Sequence, residues 1–186
     1  MTSKVPAHLR HIEAYSTRAA LFCFAPWMKT AYKELGQSEV PGFKANPRII
    51  QYFSASNFWG KDDSGGKNAW CASFVAWVMK KHGYTPVKNA FRAKSWENFG
   101  KTISTPVQGA IAIKSRKGGG HVGFVVGQSA TGQYLFILGG NQGDKVSIAK
   151  YKTSVWDTFV VPAGFDESTG RLPIYTSPAV LASTEA

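Results

Sequence analysis

The segment 68–83 constrains the fold of this chain more than any other part of the sequence, because it predicts a single amphipathic helix. Its large apolar residues recur at the spacing of one helical face: Trp70, Phe74, Trp77 and Val78. Asn68 is a favourable N-cap residue, and Gly83 has the conformational freedom for the left-handed position that ends many helices. The rest of the chain must therefore supply a surface against which this helix packs.

Cys71 lies in the first turn of the predicted helix, and this position matters for its chemistry. The unpaired N–H groups and the positive end of the helix dipole favour a thiolate over a thiol there. A thiolate is the form in which cysteine acts as a nucleophile. The alternative, in which Cys71 is a small apolar residue buried among tryptophans, stays open at this point. A nucleophilic role needs a base from elsewhere in the chain.

Composition indicates one folded domain with an anionic partner. A chain of 186 residues with 44% hydrophobic residues is long enough to bury a core. Its 22 basic residues exceed its 11 acidic residues, so its net charge is +11, which favours nucleic acid, a membrane surface or an acidic cell-wall polymer as partner. The basic residues follow no nucleic-acid-binding signature, and no apolar run reaches the ~20 residues of a membrane span. We therefore predict no nucleic-acid partner and no integral membrane segment.

The sequence changes from helical to strand-like after Pro106. Besides the Cys71 helix, helices are predicted at 7–24, 26–35, 48–54 and 90–99. Five apolar segments then have the pattern of strands, at 110–113, 121–127, 134–138, 146–151 and 156–161. The connections between them are too short for helical crossovers, so we predict an antiparallel sheet. The fold class is therefore α+β, with N-terminal helices packed on a central antiparallel sheet.

His121 and Asn141 can complete a catalytic constellation with Cys71. His121 opens a strand directly after three glycines, and Asn141 follows the next strand of the predicted hairpin. Because the strands of a hairpin run in opposite directions, these two residues return to the same edge of the sheet. A thiol, an imidazole and an amide then act as nucleophile, general base and orienting group. In this hypothesis the side-chain oxygen of Asn141 holds the ring tautomer, and the N–H of Cys71 meets the oxyanion.

Other cysteines and histidines offer weaker signals. Cys23 lies in an apolar run and is predicted to be an inert core thiol, although a disulfide with Cys71 is an alternative. His8 and His11 are three residues apart but have no third ligand nearby, so solvated helix positions explain them. We predict neither a metal nor a cofactor.

A series of motifs resembles a known family. The chain contains, in order, Pro26-Trp27 through Gly36, Glu39-Val40-Pro41-Gly42, Asn46-Pro47-Arg48-Ile49, Trp70-Cys71-Ala72-Ser73-Phe74-Val75, Ser95-Trp96, Gly120-His121-Val122-Gly123-Phe124 and Gly139-Gly140-Asn141-Gln142. Together they resemble the papain-like peptidoglycan hydrolases of the CHAP and NlpC superfamily, and within it a subgroup found among endolysins and interbacterial toxins. The resemblance implies a papain-like fold and a cysteine amidase or endopeptidase that cleaves stem peptides, with Cys71 as nucleophile and His121 as base.

The chain departs from the family pattern at the third catalytic position. Many CHAP enzymes have a glutamate two residues before the asparagine, where this chain has Gly139. Asn141 is the best remaining candidate, and Gln142 or an acid of Asp62-Asp63 is an alternative. We also predict that Trp70, Asp63, Gly120 and Gln142 contact the substrate.

Three regions are expected along the chain: an N-terminal extension over 1–24 with helical character, a papain-like hydrolase domain over 25–164, and a loosely ordered tail over 165–186. The start of the sequence lacks a clear signal peptide. We therefore expect synthesis in the cytoplasm and action in the periplasm or cell wall of a target bacterium, after secretion or lysis.

The predicted function is cleavage of an amide bond in peptidoglycan stem peptides by a secreted antibacterial toxin or a phage lysin. One alternative is a cysteine toxin of the same fold that deamidates or acylates host proteins. Another is a non-catalytic basic module that binds the cell envelope. The expected partners are peptidoglycan and, for an injected toxin, a cognate immunity protein, and the chain is expected to be a monomer.

Overall fold

The structure, a computed structural model, describes residues 25–41, 45–63, 68–167, 172–175 and 180–181. The predictions for 1–24, including Cys23, His8 and His11, lie outside these residues. Three α-helices precede the sheet: α1 (Trp27–Lys33), α2 (Pro47–Ala55) and α3 (Cys71–Lys81). A 3-10 helix, Ala93–Asn98, occupies part of the predicted helix at 90–99, and a second, Thr153–Val155, precedes the last long strand.

Seven strands form one sheet among the described residues: β1 (Lys101–Ile103), β2 (Ile111–Arg116), β3 (Gly119–Gln128), β4 (Tyr134–Gly139), β5 (Ser147–Lys152), β6 (Thr158–Val161) and β7 (Val180–Leu181). Their order across the sheet is β1-β6-β2-β3-β4-β5-β7. All neighbours are antiparallel except β5 and β7, which are parallel. The predicted α+β class and the antiparallel hairpin of β3 with β4 are confirmed, whereas β1 and β7 were not predicted.

Helix α3 is buried on every side, which corrects the prediction of an amphipathic helix. All nine residues from Cys71 to Met79 are buried, and only the basic last turn reaches solvent. A helix that is apolar all round belongs inside a protein. It packs on α2 and on the sheet, chiefly on β3. Gly83 has the predicted left-handed conformation, with φ +80°.

Two apolar layers enclose the sheet because alternate strand residues point to opposite faces. The larger layer lies between the sheet and the helices and includes Phe74, Phe124 and Leu138. The smaller layer covers the other face and includes Val125, Tyr151 and Trp156. Among the described residues, none of the helices combines the length and the apolar character needed to cross a membrane.

Candidate functional site

Helix α3 begins at Cys71, so the thiol sits on the first residue of the helix. The predicted N-cap is wrong: Asn68 instead donates a hydrogen bond to the backbone oxygen of Asp62 (2.9 Å), and Trp70 is the N-cap residue without a side-chain cap. The first intrahelical bond runs from the N–H of Phe74 to the oxygen of Trp70 (2.9 Å). The N–H groups before it have no acceptor inside the helix and leave positive potential beside the thiol.

Gly140 brings the end of β4 against the start of α3. A Cβ at position 140 would lie 2.6 Å from the ring of Trp70, which precedes Cys71, and 2.8 Å from the Cβ of Phe74, three residues after it. Only glycine permits so close an approach of the two backbones. The segment that follows β4 is thereby held at the thiol.

His121 is hydrogen-bonded to the Cys71 thiol, so the structure brings these two side chains together. Their roles as nucleophile and base stay a prediction. The pairing of β3 with β4 begins at Phe124, which faces Leu138. The first residues of β3 therefore extend past the end of β4, and the start of α3 meets them there. The backbone N–H of Val122 also bonds to the sulfur.

The surroundings of Cys71 lower the pKa of its thiol. Burial alone raises this pKa, but the hydrogen bond and charge of His121, the N–H of Val122 and the charge of Arg116 together outweigh burial. The thiolate is thus favoured at a lower pH than in a free cysteine. Cys71 is 3% exposed and is a free cysteine, so it is a buried side chain, and its role as a nucleophile stays a prediction.

Gln142 holds the far side of the imidazole. Its Oε1 lies 3.1 Å from Nε2 of His121 and also accepts a hydrogen bond from the hydroxyl of Tyr151 (2.9 Å). Its Nε2, with two N–H donors, lies within hydrogen-bond distance of the backbone oxygens of Ser147 (2.6 Å), Ile137 (3.2 Å) and Gly139 (3.3 Å). Gln142 is 5% exposed, so this network is shielded from water.

These bonds fix the tautomer of His121. The three carbonyl partners can only accept, so the amide nitrogen of Gln142 must face them and its oxygen must face the ring. The oxygen can only accept, so Nε2 of His121 carries the proton and donates it. Nδ1 is then the nitrogen without a proton in the neutral ring.

Asn141 does not make the bond predicted for its carbonyl oxygen. Its Oδ1 is buried and has no hydrogen-bond partner, although the residue is only 3% exposed. Its backbone has the left-handed conformation, with φ +56°, so the chain turns sharply after β4. This turn brings the next residue, Gln142, to the imidazole.

Gly139 explains how the amide of Gln142 fits beside the ring. A Cβ at position 139 would lie 3.0 Å from Oε1 and 3.1 Å from Cδ of Gln142. A side chain at position 139 would therefore crowd the amide of Gln142, which lies beside this glycine.

The remaining predicted substrate contacts are placed as follows. Trp70 is fully buried, stacks on Tyr52 and donates from Nε1 to Glu39 (2.8 Å). Asp63 is 1% exposed, and its Oδ2 accepts from the N–H of Asn46 (2.7 Å). In these positions both side chains support the loops around α3 and offer no surface to a ligand. Gly120 is partly exposed, next to His121, and its contact with substrate stays a prediction.

Acidic residues gather on the Trp70 side of the site. Burial raises the pKa of Glu39, and the charges of Asp144, Asp63 and Asp62 add to this rise while the bond from Trp70 opposes it. Within the described part of the chain, no group of three His, Cys, Asp or Glu side chains is arranged to hold a metal ion.

A thiol at a helix start, an imidazole and an amide at hydrogen-bond distance are the parts of a cysteine hydrolase site. Residues 61–141 match the family model of the CHAP domain, which confirms the resemblance inferred from the sequence. The match is consistent with a CHAP/NlpC-type peptidoglycan hydrolase, and CHAP domains are typically cysteine amidases or peptidases. It includes Cys71, His121 and Asn141 and ends one residue before Gln142. No curated protein and no solved structure was matched by the chain.

Two groups at the site were not found from the sequence, the N–H of Val122 and the hydroxyl of Tyr151. A backbone donor leaves no signal in the residue type. Tyr151 lies on β5, and its place beside Gln142 depends on the pairing of β4 with β5. The sequence pattern around Tyr151 indicates a strand, but it does not indicate that the hydroxyl of Tyr151 bonds to Gln142.

Proposed function

We propose that the protein is a peptidoglycan hydrolase that cleaves an amide bond of a stem peptide with Cys71 as nucleophile. The observation that carries the proposal is the hydrogen bond between the Cys71 thiol and His121 at the first residue of a helix. The CHAP match supplies the substrate class. The catalytic roles given to the individual residues are part of the proposal.

In the first half of the proposed reaction, Nδ1 of His121 takes the thiol proton and the sulfur attacks the amide carbonyl carbon. The carbonyl oxygen becomes an oxyanion, which the N–H of Cys71 stabilises at the helix start. His121 then gives the proton to the leaving nitrogen. The C–N bond breaks, and a thioester links the acyl group to Cys71.

In the second half, water attacks the thioester carbonyl while His121 accepts one of its protons. The C–S bond then breaks, the carboxylic acid product leaves, and the proton returns to the thiol. Gln142 holds Nε2 throughout, so the ring presents Nδ1 in both halves. In this proposal Gln142 positions His121, and Asn141 keeps the turn that aims Gln142.

The direct test uses purified sacculi and the variants Cys71→Ala and Cys71→Ser. We expect the wild-type protein to release peptide fragments and both variants to release none, while their circular dichroism spectra match the wild type. Product masses from sacculi of known chemistry identify the bond that is cut. Release by a folded Cys71→Ala protein at the wild-type rate would reject the proposal.

We further propose that the protein acts on the cell wall of a target bacterium, as an injected toxin or a phage lysin. The net charge of +11 suits an anionic envelope and also suits an acidic immunity protein in a producing cell. A pull-down from the producing cell distinguishes the two roles, because an injected toxin retains such a partner at high affinity and a phage lysin does not.

A further inference from the structure

Trp59 is the most exposed large apolar side chain in the described part of the chain, at 75%. Its indole is held in place: the ring centroid lies 4.8 Å from that of Phe58 and 5.5 Å from that of Phe91. Phe58 in turn packs on Phe53 of α2, at 5.0 Å. We call Phe58, Trp59 and Phe91 the aromatic shelf.

The aromatic shelf is fixed by the backbone as well as by ring contacts. The N–H of Phe58 bonds to the oxygen of Phe53 (2.9 Å). A side chain at Gly60 would collide with the Phe58 ring, so the chain passes directly beneath that ring. The indole stays 75% exposed although it packs on two rings, so much of its apolar surface is open to a ligand.

The helix side of the aromatic shelf lies at the Cys71 end of α3. Arg48, in the first turn of α2, stacks over Trp77, whereas Ser56, just after α2, is hydrogen-bonded to Ser73 (2.8 Å). Helices α2 and α3 therefore run in opposite directions. The chain that leaves α2 through Phe58 and Trp59 consequently emerges beside the first turn of α3.

The sheet side of the aromatic shelf is tied to the strand that carries His121. Phe91 is followed two residues later by Ala93, whose Cβ lies 3.2 Å from the Cβ position of Gly120. Gly120 directly precedes His121. The aromatic shelf is therefore linked through Ser56 to the start of α3, which carries Cys71, and through Ala93 to the start of β3, which carries His121.

The chemistry of the aromatic shelf suits a sugar ring. A flat indole face accepts the CH face of a pyranose, and Arg92, exposed and stacked on Phe91 (5.7 Å), offers donors for hydroxyl and acetamido oxygens. One indole and one phenyl ring cover far less than the ~800 Å² per partner of a stable protein interface. In peptidoglycan the glycan carries pyranose rings, whereas the stem peptide carries no ring of this kind.

We propose that the aromatic shelf binds an amino-sugar ring of the glycan strand while the attached stem peptide enters the Cys71 site. This inference rests on the proposed function and adds to it that the glycan is part of the recognised substrate. Stem peptides that are still attached to their glycan are then preferred over free peptides.

The test measures binding by calorimetry in the Cys71→Ala background, so that no ligand is cleaved. The ligands are N-acetylglucosamine–N-acetylmuramic acid carrying the stem tetrapeptide, and the same tetrapeptide without sugar. We expect the sugar-bearing ligand to bind about tenfold more tightly, as one aromatic stacking contact allows. Adding Trp59→Ala should remove this difference, and adding Trp59→Phe should retain most of it.

The matched control is Val155→Ala, which truncates another exposed apolar side chain and should leave both affinities unchanged. Equal binding of the two ligands before any change at Trp59, or an equal loss for both ligands after Trp59→Ala, would overturn the inference. These results are independent of turnover. A wild-type protein that releases nothing from sacculi would reject the proposed function, whereas the binding preference would still decide the role of the aromatic shelf.

Discussion

Gln142 gives the imidazole of His121 a neutral amide as its partner. Its oxygen receives two donors, Nε2 of His121 and the hydroxyl of Tyr151, while its nitrogen is anchored by backbone oxygens. A neutral amide can orient the ring and fix its tautomer, but it cannot neutralise an imidazolium. The lowered pKa of the Cys71 thiol therefore depends on the ring being held in position next to the sulfur.

Replacing Gln142 by Ala should lower kcat by roughly 100-fold, the lower end of what a positioned general base contributes. It should also shift the pH midpoint of Cys71 alkylation by iodoacetamide upwards. The sign follows from the cause: His121 holds the thiol pKa down, so a ring that is free to turn away lets that pKa rise. Rates of alkylation measured between about pH 5 and 10 check this, with an ordinary cysteine near ~8.5 as reference.

Tyr151→Phe provides a graded comparison for Gln142→Ala. It removes one donor to Oε1 and leaves the bond from His121 intact. We expect a less than about tenfold loss of kcat and an alkylation midpoint close to that of the wild type. A Gln142→Ala protein with the wild-type midpoint and kcat would show that Gln142 has only a structural role.

The packing of β4 against α3 at Gly140 sets the position of the whole turn 140–142. Gly140→Ala places a methyl group 2.6 Å from the Trp70 ring, where backbone and indole must both shift. We expect a loss of about 1–3 kcal/mol in the free energy of unfolding, typical of overpacking, together with a clear loss of activity. Urea denaturation and fragment release from sacculi measure the two effects.

Gly119→Ala is the matched control for Gly140→Ala. Gly119 lies in β3 close to His121, but a Cβ there would have no neighbour within 4 Å. This variant should keep the stability and activity of the wild type. Equal behaviour of the two alanine variants would mean that the contact between β4 and α3 does not position the site.

At the scale of elements, the sequence was informative where a local signal decided the structure. The short apolar runs of β3 and β4, joined by a short polar loop, predicted their hairpin, and Gly83 predicted the end of α3. The start of α3 was misplaced: Trp70 takes the N-cap position without a side-chain bond, whereas Asn68 lies before it and donates to the oxygen of Asp62. Strand β1, which pairs with β6, was not predicted because its three residues are too few to show a periodic pattern.

At the scale of the whole molecule, the proximity of Cys71 and His121 could be predicted, but the group behind the ring could not. The geometry of an antiparallel hairpin was enough to predict that Asn141 and Gln142 lie at the same edge of the sheet as His121. Which amide reaches the ring depends on the left-handed turn at Asn141 and on carbonyl oxygens of β4 and β5. Those partners exist only once the sheet has formed.

The net charge of +11 is a property of the whole chain, and it should act on association with the envelope rather than on the chemistry. In the Cys71→Ala background, binding to anionic sacculi should weaken on the order of tenfold between about 0.05 M and 0.5 M NaCl, since salt screens charges beyond a few ångströms. Cosedimentation at a series of salt concentrations measures this.

Lys29→Glu with Lys88→Glu tests the same claim without added salt. Both lysines are exposed, and the two changes together lower the net charge by four, from +11 to +7. We expect weaker cosedimentation at low salt but unchanged turnover of a soluble sugar-bearing tetrapeptide, because neither lysine contacts the Cys71 site. If cosedimentation with sacculi changed neither with salt nor with the net charge, the affinity would have to come from local contacts such as the aromatic shelf. The net charge of the chain would then not contribute to binding.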